Sequence, residues 1–287
     1  MSVPSSGPLK LRGDIALEVD GSATGTNVSL RTLSNSAGFT SPDAMREFYG
    51  YTSIVTAVVH WAVIAGGGSG TGGGAGGYRT SYGTSGGGSS AESQFTIATG
   101  NSYTITVGGV SGNSVLSGGG SNGGTSVSIT STAGGNFASG TGGSGAGAFA
   151  ATPNLGYASA SGGAGIAGQG TNGGSLYIRR GPFYAGGGGA GGAGQSIFGA
   201  QSNFGIVLAG GVSITSDITG TSIAYAQGAG NNTLAIDNRG HGTRTGTVII
   251  RMPTSIYPDI STTGTTSVTS SGGFTIIKWN SSGTMSL

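Results

Sequence analysis

The sequence of 287 residues has no cysteine, few charged residues and few prolines. Without cysteine the chain forms no disulfide and offers no thiolate to a metal ion. Charged residues make up 7% of the chain, against about 25% in typical soluble domains. The basic residues are scattered, and only Arg179 and Arg180 are adjacent. The sequence therefore has no basic stripe of the kind that neutralises nucleic-acid phosphates, and we expect no nucleic-acid partner.

Long apolar stretches are also missing. No run approaches the ~20 apolar residues of a transmembrane helix, so we expect no insertion into a membrane. Residues 1–20 lack the apolar region of a secretory signal peptide. If the protein acts outside a cell, we expect it to leave the cell by another route.

Side chains that carry catalysis are scarce. The two histidines are His60, inside a β-like stretch beside Trp61, and His241, in the polar sequence DNRGHGTR. The sequence around His241 could bind a glycan or an ion, but we favour a plain polar loop. No two carboxylates have a spacing that suggests glycoside hydrolysis, although the two groups need only meet in space. We expect no enzyme, no cofactor and no metal site, with polysaccharide cleavage as the alternative.

Glycine is the abundant residue, at 65 of 287. Residues 68–73 fit the dinucleotide motif G-x-G-x-x-G, which requires a helix directly after it. The residues that follow are mostly glycine and show no helical apolar repeat, so a nucleotide site is disfavoured. Seven prolines and no strict G-x-y repeat exclude collagen.

The chain divides into three zones. Residues 1–52 read as short helices, residues 53–253 as a glycine-rich β body, and residues 254–287 as a small C-terminal β-hairpin segment. In the body, stretches rich in Val, Ile, Thr and Tyr alternate with glycine clusters. Several clusters carry single apolar residues that a linker would not need. We therefore predict a mainly β, sandwich-like fold with packed, extended glycine segments resembling polyglycine II.

The short N-terminal helices offer a set of apolar anchors. These are Leu11, Ile15, Leu30, Leu33, Met45, Phe48 and Tyr49. We expect a zone with so few apolar residues to be unable to form a core of its own. We therefore predict that the anchors are buried against the body, sister chains or another protein, and that this zone is an attachment module.

Aromatic and basic residues beside glycine clusters are the candidate contact residues. They are Arg179, Arg180, Phe183, Tyr184, Tyr78, Tyr82 and Tyr157. Aromatic rings on loops offer rigid contact area to sugars and proteins. The alternative is that these rings fill gaps between glycine layers. The stretch LYIRRGPFYAG is the first choice for a contact surface.

The order of these segments is similar to the order found in a known protein family. The stretch VVHWAVIAGGGSGTGGGAGGYRTS, followed by FTIATGNSYTITVGG, AGGGGAGGAG and GTVIIRMP, resembles the glycine-rich domain of phage and prophage tail and fibre proteins. In that family a valine-rich strand runs into glycines, a strand pair follows, and a closing strand ends the domain. The resemblance covers about residues 54–253.

Two further similarities point the same way. The stretch VPSSGPLKLRGDIALEV, with MREFYGY, resembles a short N-terminal module of marine-phage virion proteins. The glycine blocks resemble the receptor-binding tips of T-even-like tail fibres, where packed polyglycine-II helices carry variable loops at one end.

The resemblance implies a structural protein on the exterior of a phage virion, in a tail fibre, spike or other appendage. Such a protein is assembled in the host cytoplasm and released by lysis, so it needs no signal peptide. The implied partners are other virion proteins and a glycan or protein of the host surface, with a homotrimer as the favoured assembly. The alternatives are a fibre-borne polysaccharide depolymerase and a purely architectural or decorating virion protein.

Overall fold

The computed structural model describes residues 3, 14–20, 29–40, 44, 48–51, 53–152, 158–178, 181–199, 206–231, 237, 239–264 and 266–287. The chain divides into two compact units, Met1–Val55 and Thr56–Leu287. In the described part of the chain, every helix is too short or too polar to cross a membrane.

The N-terminal unit contains two short helices, α1 (Ala16–Asp20) and α2 (Leu30–Ser36). Helix α2 begins after Ser29, whose hydroxyl oxygen accepts the Thr32 backbone N–H at 3.1 Å. This bond satisfies one of the free donors at the start of the helix. Farther along, Glu18 accepts the Ser53 N–H at 2.8 Å, which ties α1 to the end of the unit.

The expectation that this zone lacks a core of its own is wrong. The predicted anchors Ile15, Leu33 and Phe48 are fully buried in one cluster within the unit. Among the other anchors, Leu30 is half-buried and Tyr49 is 42% exposed, while Leu11 and Met45 lie outside the described residues. The cluster forms because edge-to-face aromatic packing, such as Phe39 against Phe48, supplements a few aliphatic side chains.

The second unit is mainly β, as predicted. Its described residues form the strands β1 (Thr56–Ile64), β2 (Tyr78–Thr80), β3 (Phe95–Ala98), β4 (Ser102–Thr106), β5 (Ser114–Gly118), β6 (Val127–Ser131), β7 (Phe149–Thr152), β8 (Ala158–Ala160), β9 (Leu176–Ile178), β10 (Gly181–Tyr184), β11 (Ile197–Phe198), β12 (Ile206–Val207), β13 (Ile214–Ser216), β14 (Ile223–Tyr225), β15 (Thr247–Pro253), β16 (Ser261–Thr262), β17 (Thr266–Ser271), β18 (Phe274–Trp279) and β19 (Gly283–Ser286). Short 3₁₀ turns span Gly86–Gly88 and Thr254–Asp259.

Two sheets form what we call the main sandwich. One has six strands, in the order β17-β18-β15-β1-β2 with β3 also paired to β1, and the other has the order β16-β19-β4-β5-β6. The second half of β1, from Trp61 to Ile64, is apolar and buried because the sheet is covered on both faces there. Trp61 and Val63 belong to the core shared with the five-stranded sheet. Ala62 and Ile64 belong to a second core with Tyr225 of the β13–β14 hairpin.

The C-terminal strands are part of this sandwich. Strand β18 pairs with β15 over six residues, from Val248 opposite Trp279 to Pro253 opposite Phe274. Strand β19 pairs with β4. The predicted hairpin exists as β17–β18, but the separate segment 254–287 does not, because its apolar side chains complete the cores of the body.

The glycine clusters form what we call the glycine lattice. It comprises residues 65–77, 133–135, 142–148, 162–165, 170–174, 185–195, 209–212, 226–230 and 240–246. The consecutive N–H groups of residues 74–76 donate to three different segments, at the carbonyls of Gly135, Gly188 and Gly240, over 2.8, 2.9 and 2.9 Å. An extended helix with three residues per turn points successive groups in three directions. The predicted packing of extended glycine segments is confirmed.

Glycine is required in the lattice by close approach of one backbone to another. A Cβ at Gly74 would lie well under 3.0 Å from the backbone of Ser144, and one at Gly187 would meet the backbone of Gly73. The dinucleotide-like motif of residues 68–73 runs into this lattice, since residues 74–77 are extended and form no helix.

A second, smaller pair of sheets forms what we call the tip sandwich. Its sheets have the orders β12-β10-β7 and β11-β9-β8. Phe183, Leu176, Ile178 and Leu208 pack in its core. Its strands continue directly into the lattice, as where the Ala148 N–H donates to the Gly174 carbonyl at 2.9 Å.

Candidate functional site

Three connections of the tip sandwich leave from the same end. Strand β10 is antiparallel to β7 and parallel to β12, while β9 is antiparallel to β8 and parallel to β11. The connections β7 to β8, β9 to β10 and β11 to β12 each lead from one sheet to the other. The register pairs Thr152 with Gly181 and Ala158 with Ile178, so all three connections start and finish at one end of the sandwich. This end brings together segments that are far apart in the sequence.

One outer face of the tip sandwich carries an exposed aromatic pair, which we call the Phe198 face. Phe198 is 70% exposed and Tyr177 is 44% exposed, and the two residues are register partners on parallel strands. They border a depression of about 510 Å³, whose described lining is uncharged and includes Ser159 and Ser175. Exposed rings beside hydroxyl groups suit contact with a neutral polar surface.

The opposite outer face, which we call the Tyr184 face, holds three aromatic rings in contact. Phe149 stacks on Tyr184 with 4.8 Å between ring centroids, and Phe137 lies 5.4 Å from Phe149. Phe137 is 42% exposed. A depression of about 480 Å³ nearby is lined in part by Val207, the register partner of Tyr184, and by Arg244.

Two predicted contact residues, Tyr78 and Phe183, are fully buried and cannot meet a partner in this fold. Phe183 faces the core because side chains alternate along β10 and Tyr184 takes the outer face. Tyr78 packs 5.9 Å from Tyr225, centroid to centroid, and burial raises its pKa. The prediction failed because the neighbouring glycines belong to a packed lattice and not to loops. Both rings are core residues: Tyr78 packs in the cluster that contains Tyr225, and Phe183 packs in the core of the tip sandwich.

The remaining predicted contact residues are placed differently. Tyr184 lies on the tip sandwich as described above. Tyr82 is half-buried on the main sandwich, with its ring 5.0 Å from that of His60 and 5.1 Å from the Arg251 guanidinium. Arg251 also lies 4.4 Å from the Phe274 ring, so Tyr82 belongs to a cation–π arrangement. Arg179, Arg180 and Tyr157 lie outside the described residues.

Sequence reasoning did not select Phe137, Phe149 and Tyr177 as contact residues. A usable signal existed for Tyr177, because alternation in Leu-Tyr-Ile points its side chain away from its two buried neighbours. No comparable signal existed for Phe137. Its position follows from a backbone bond of its N–H to the Ser69 carbonyl at 3.0 Å, which joins segments distant in sequence.

His241, a candidate for binding a glycan or an ion, has a structural role. His241 is fully buried, and its Nδ1 accepts the Gln227 backbone N–H at 2.9 Å. Burial, with the positive charges of Arg239 and Arg244 nearby, lowers the pKa of His241 to about 4, so the ring is neutral at pH 7. The predicted polar loop is therefore wrong for this side chain. Within the described residues no group of three His, Cys, Asp or Glu side chains could hold a metal ion.

Comparison with protein-family models, with curated proteins and with solved structures found no match for this chain. The family resemblance of the quoted motifs thus stays a prediction from the sequence.

Proposed function

We propose that the chain is a structural protein of a phage virion, in a tail fibre, spike or other appendage, and that it contacts the host surface by adhesion without chemistry. The observation that carries this proposal is the common end of the tip sandwich, where three connections from separate parts of the chain start and finish. On one outer face the exposed rings of Tyr177 and Phe198 lie next to that end, whereas Tyr184 lies at the opposite end of its strand.

The glycine lattice gives this end a firm support. Its backbone groups are paired between segments, and contact residues held by a rigid scaffold lose less conformational entropy on binding. The segments run from the lattice straight into the strands of the tip sandwich. Such a scaffold tolerates changes in the connections, because residues in and next to the strands form the described core.

The low charge of the chain sets the expected character of the contact. Only 7% of the residues are charged, so electrostatic steering contributes little, and we expect binding to depend weakly on salt. The partner is a glycan or a protein of the host surface. Each site binds modestly, and many copies on one particle raise the avidity by about 10²–10⁴. In this proposal the chain assembles with other virion proteins, as a homotrimer, on the exterior of the particle.

The N-terminal unit is the attachment module in this proposal. Its own buried cluster around Leu33 and Phe48 supports the view that it is a separate module. We expect a chain without residues 1–55 to fold and to be missing from particles. Normal incorporation of that truncated chain would show that attachment resides elsewhere.

The test of adhesion is a cell-adsorption assay with the purified full chain, at low and at high salt. Phe198→Ala and Tyr184→Ala, with Arg180→Ala for the connecting segment, are expected to reduce adsorption at least several-fold while the fold persists. Val268→Ala is the matched control, because it removes an exposed apolar side chain, 42% exposed, from the main sandwich. Equal adsorption by all four variants and the wild type would contradict the proposed surface.

Two other outcomes would replace the proposal. Release of sugar fragments from host polysaccharide by the purified chain would favour the depolymerase. Presence of the chain on particles without adsorption to host cells would favour the architectural role.

A further inference from the structure

A second cleft lies away from the tip sandwich, on the main sandwich. Its volume is about 380 Å³, and it opens between the turn of the β13–β14 hairpin and the outer strands of the six-stranded sheet. Hydroxyl groups dominate its lining: Thr219, Thr221, Ser267, Thr269, Ser270 and Ser271. The half-buried Ile223 adds an apolar surface above the buried Ile276, and Lys278 supplies the one charge among the described lining residues.

The strand register explains why these side chains meet. Ser267 lies opposite Lys278, and Thr269 lies opposite Ile276, in the antiparallel pair β17–β18. Directly opposite residues point to the same face and bring their Cβ atoms within about 5 Å. Two hydroxyls and one ammonium group therefore share one side of the cleft.

The ammonium group of Lys278 has no negative partner in the part of the chain that the structure describes, where it forms neither an ion pair nor a side-chain hydrogen bond. Burial and the positive charge of Arg239 lower the pKa of Lys278. The cleft thus holds a half-buried ammonium group beside several hydroxyl groups. An oxyanion placed among them would pair with this charge and accept hydrogen bonds from the hydroxyl groups.

We propose that this cleft binds a sugar-sized oxyanion. Its carboxylate or phosphate group lies against Lys278 and accepts hydrogen bonds from Ser267 and Thr269, while its carbon skeleton packs on the half-buried Ile223. The volume is within the range of small-molecule sites, about 300–1,000 Å³. The site shares no lining residue with either face of the tip sandwich, so its success or failure is independent of the proposed adhesion.

The chain permits a direct test, because Lys10 and Lys278 are its only lysines. In full-length protein carrying Lys10→Arg, reductive methylation with ¹³C-formaldehyde leaves Lys278 as the one lysine signal in the NMR spectrum. We expect glucuronate to shift this signal saturably and to raise the pKa of the dimethylammonium group. Glucose 6-phosphate tests the phosphate source of the same chemistry. Glucose, which has no charge, is expected to leave the signal in place, as is chloride at the same ionic strength.

Matched variants locate the ligand. Thr269→Val keeps the shape but removes a hydroxyl, and we expect it to weaken glucuronate binding at least threefold. Thr262→Val, a hydroxyl removed from another strand of the main sandwich, is expected to leave binding unchanged. A shift that grows linearly without saturation, or that is equal with chloride, would overturn the proposal. Equal affinity in Thr269→Val and the wild type would also overturn it.

Discussion

The main sandwich and the glycine lattice belong to one unit, but different parts of the chain hold them together. In the main sandwich, large side chains such as Trp61, Tyr103 and Trp279 are buried between two sheets, so removal of apolar surface from water is the main stabilising term. In the lattice, the backbones of residues 74–76 bond to three other segments, and most of the buried side chains are alanines. Buried backbone groups must find partners, and the lattice provides them by close packing.

This difference reverses the usual effect of substitutions. In the main sandwich a smaller side chain leaves a cavity, whereas at most lattice glycines an added Cβ collides with a backbone. The two regions can therefore be distinguished by whether a smaller or a larger side chain unfolds the protein.

The largest effect is expected from a single methyl group in the lattice. Gly74→Ala places a Cβ against the backbone of Ser144, where no side chain can rotate away, and we expect it to cost more than about 3 kcal/mol or to prevent folding. Gly109→Ala is the control, because a Cβ there has nothing within 4 Å and should change stability by less than about 0.5 kcal/mol. Urea unfolding followed by tryptophan fluorescence measures both. Similar midpoints for the two variants would refute the close packing.

The next effect is expected in the main sandwich. Trp279→Ala removes a fully buried ring and the Nε1–H bond to the Thr263 carbonyl at 3.1 Å, at a cost of about 3–5 kcal/mol. Trp61 remains as the fluorescence reporter in this variant. A loss under about 1 kcal/mol would mean that this core is far less consolidated than its burial indicates.

His241 is a buried titratable residue within the lattice, and its backbone lies against Gly67. Its folded pKa of about 4 lies below the ordinary 6.5, so the unfolded chain binds this proton first as the pH falls. The associated stability is fully present above pH 6.5, decreases through the window from 6.5 to 4, and is lost below it. At 1.36 kcal/mol per pKa unit the loss is about 3 kcal/mol. Urea unfolding at pH 7, 5.5 and 4 should show it in the wild type and not in His241→Gln. Parallel profiles of the two proteins would contradict the assignment.

Local patterns predicted much of this fold, and long-range partners account for what they missed. The valine-rich stretch around Val59, the β17–β18 hairpin with its turn at Gly272, and the ordered glycine clusters each follow from short-range chemistry. The pairing of β18 with β15 does not, because nothing local records which distant strand completes a sheet. The same limit applies to the site: Tyr78 and Phe183 look like exposed aromatics until the neighbouring layers are known.

The smallest effect is expected from a charged pair at the border between the two sheets of the main sandwich. The Arg79 Nε donates to Glu92 Oε1 at 2.8 Å, and its Nη1 donates to the Thr130 carbonyl at 3.0 Å. Both side chains are about a third exposed or less, at 26% and 31%, so solvent screens the attraction in part. Glu92→Gln is expected to cost about 1 kcal/mol or less, and the difference from the wild type should shrink in 1 M salt. Unfolding midpoints at low and high salt measure it. A cost that is larger than that of Trp279→Ala, or that does not change with salt, would show that a charge, and not apolar burial, holds the main sandwich together.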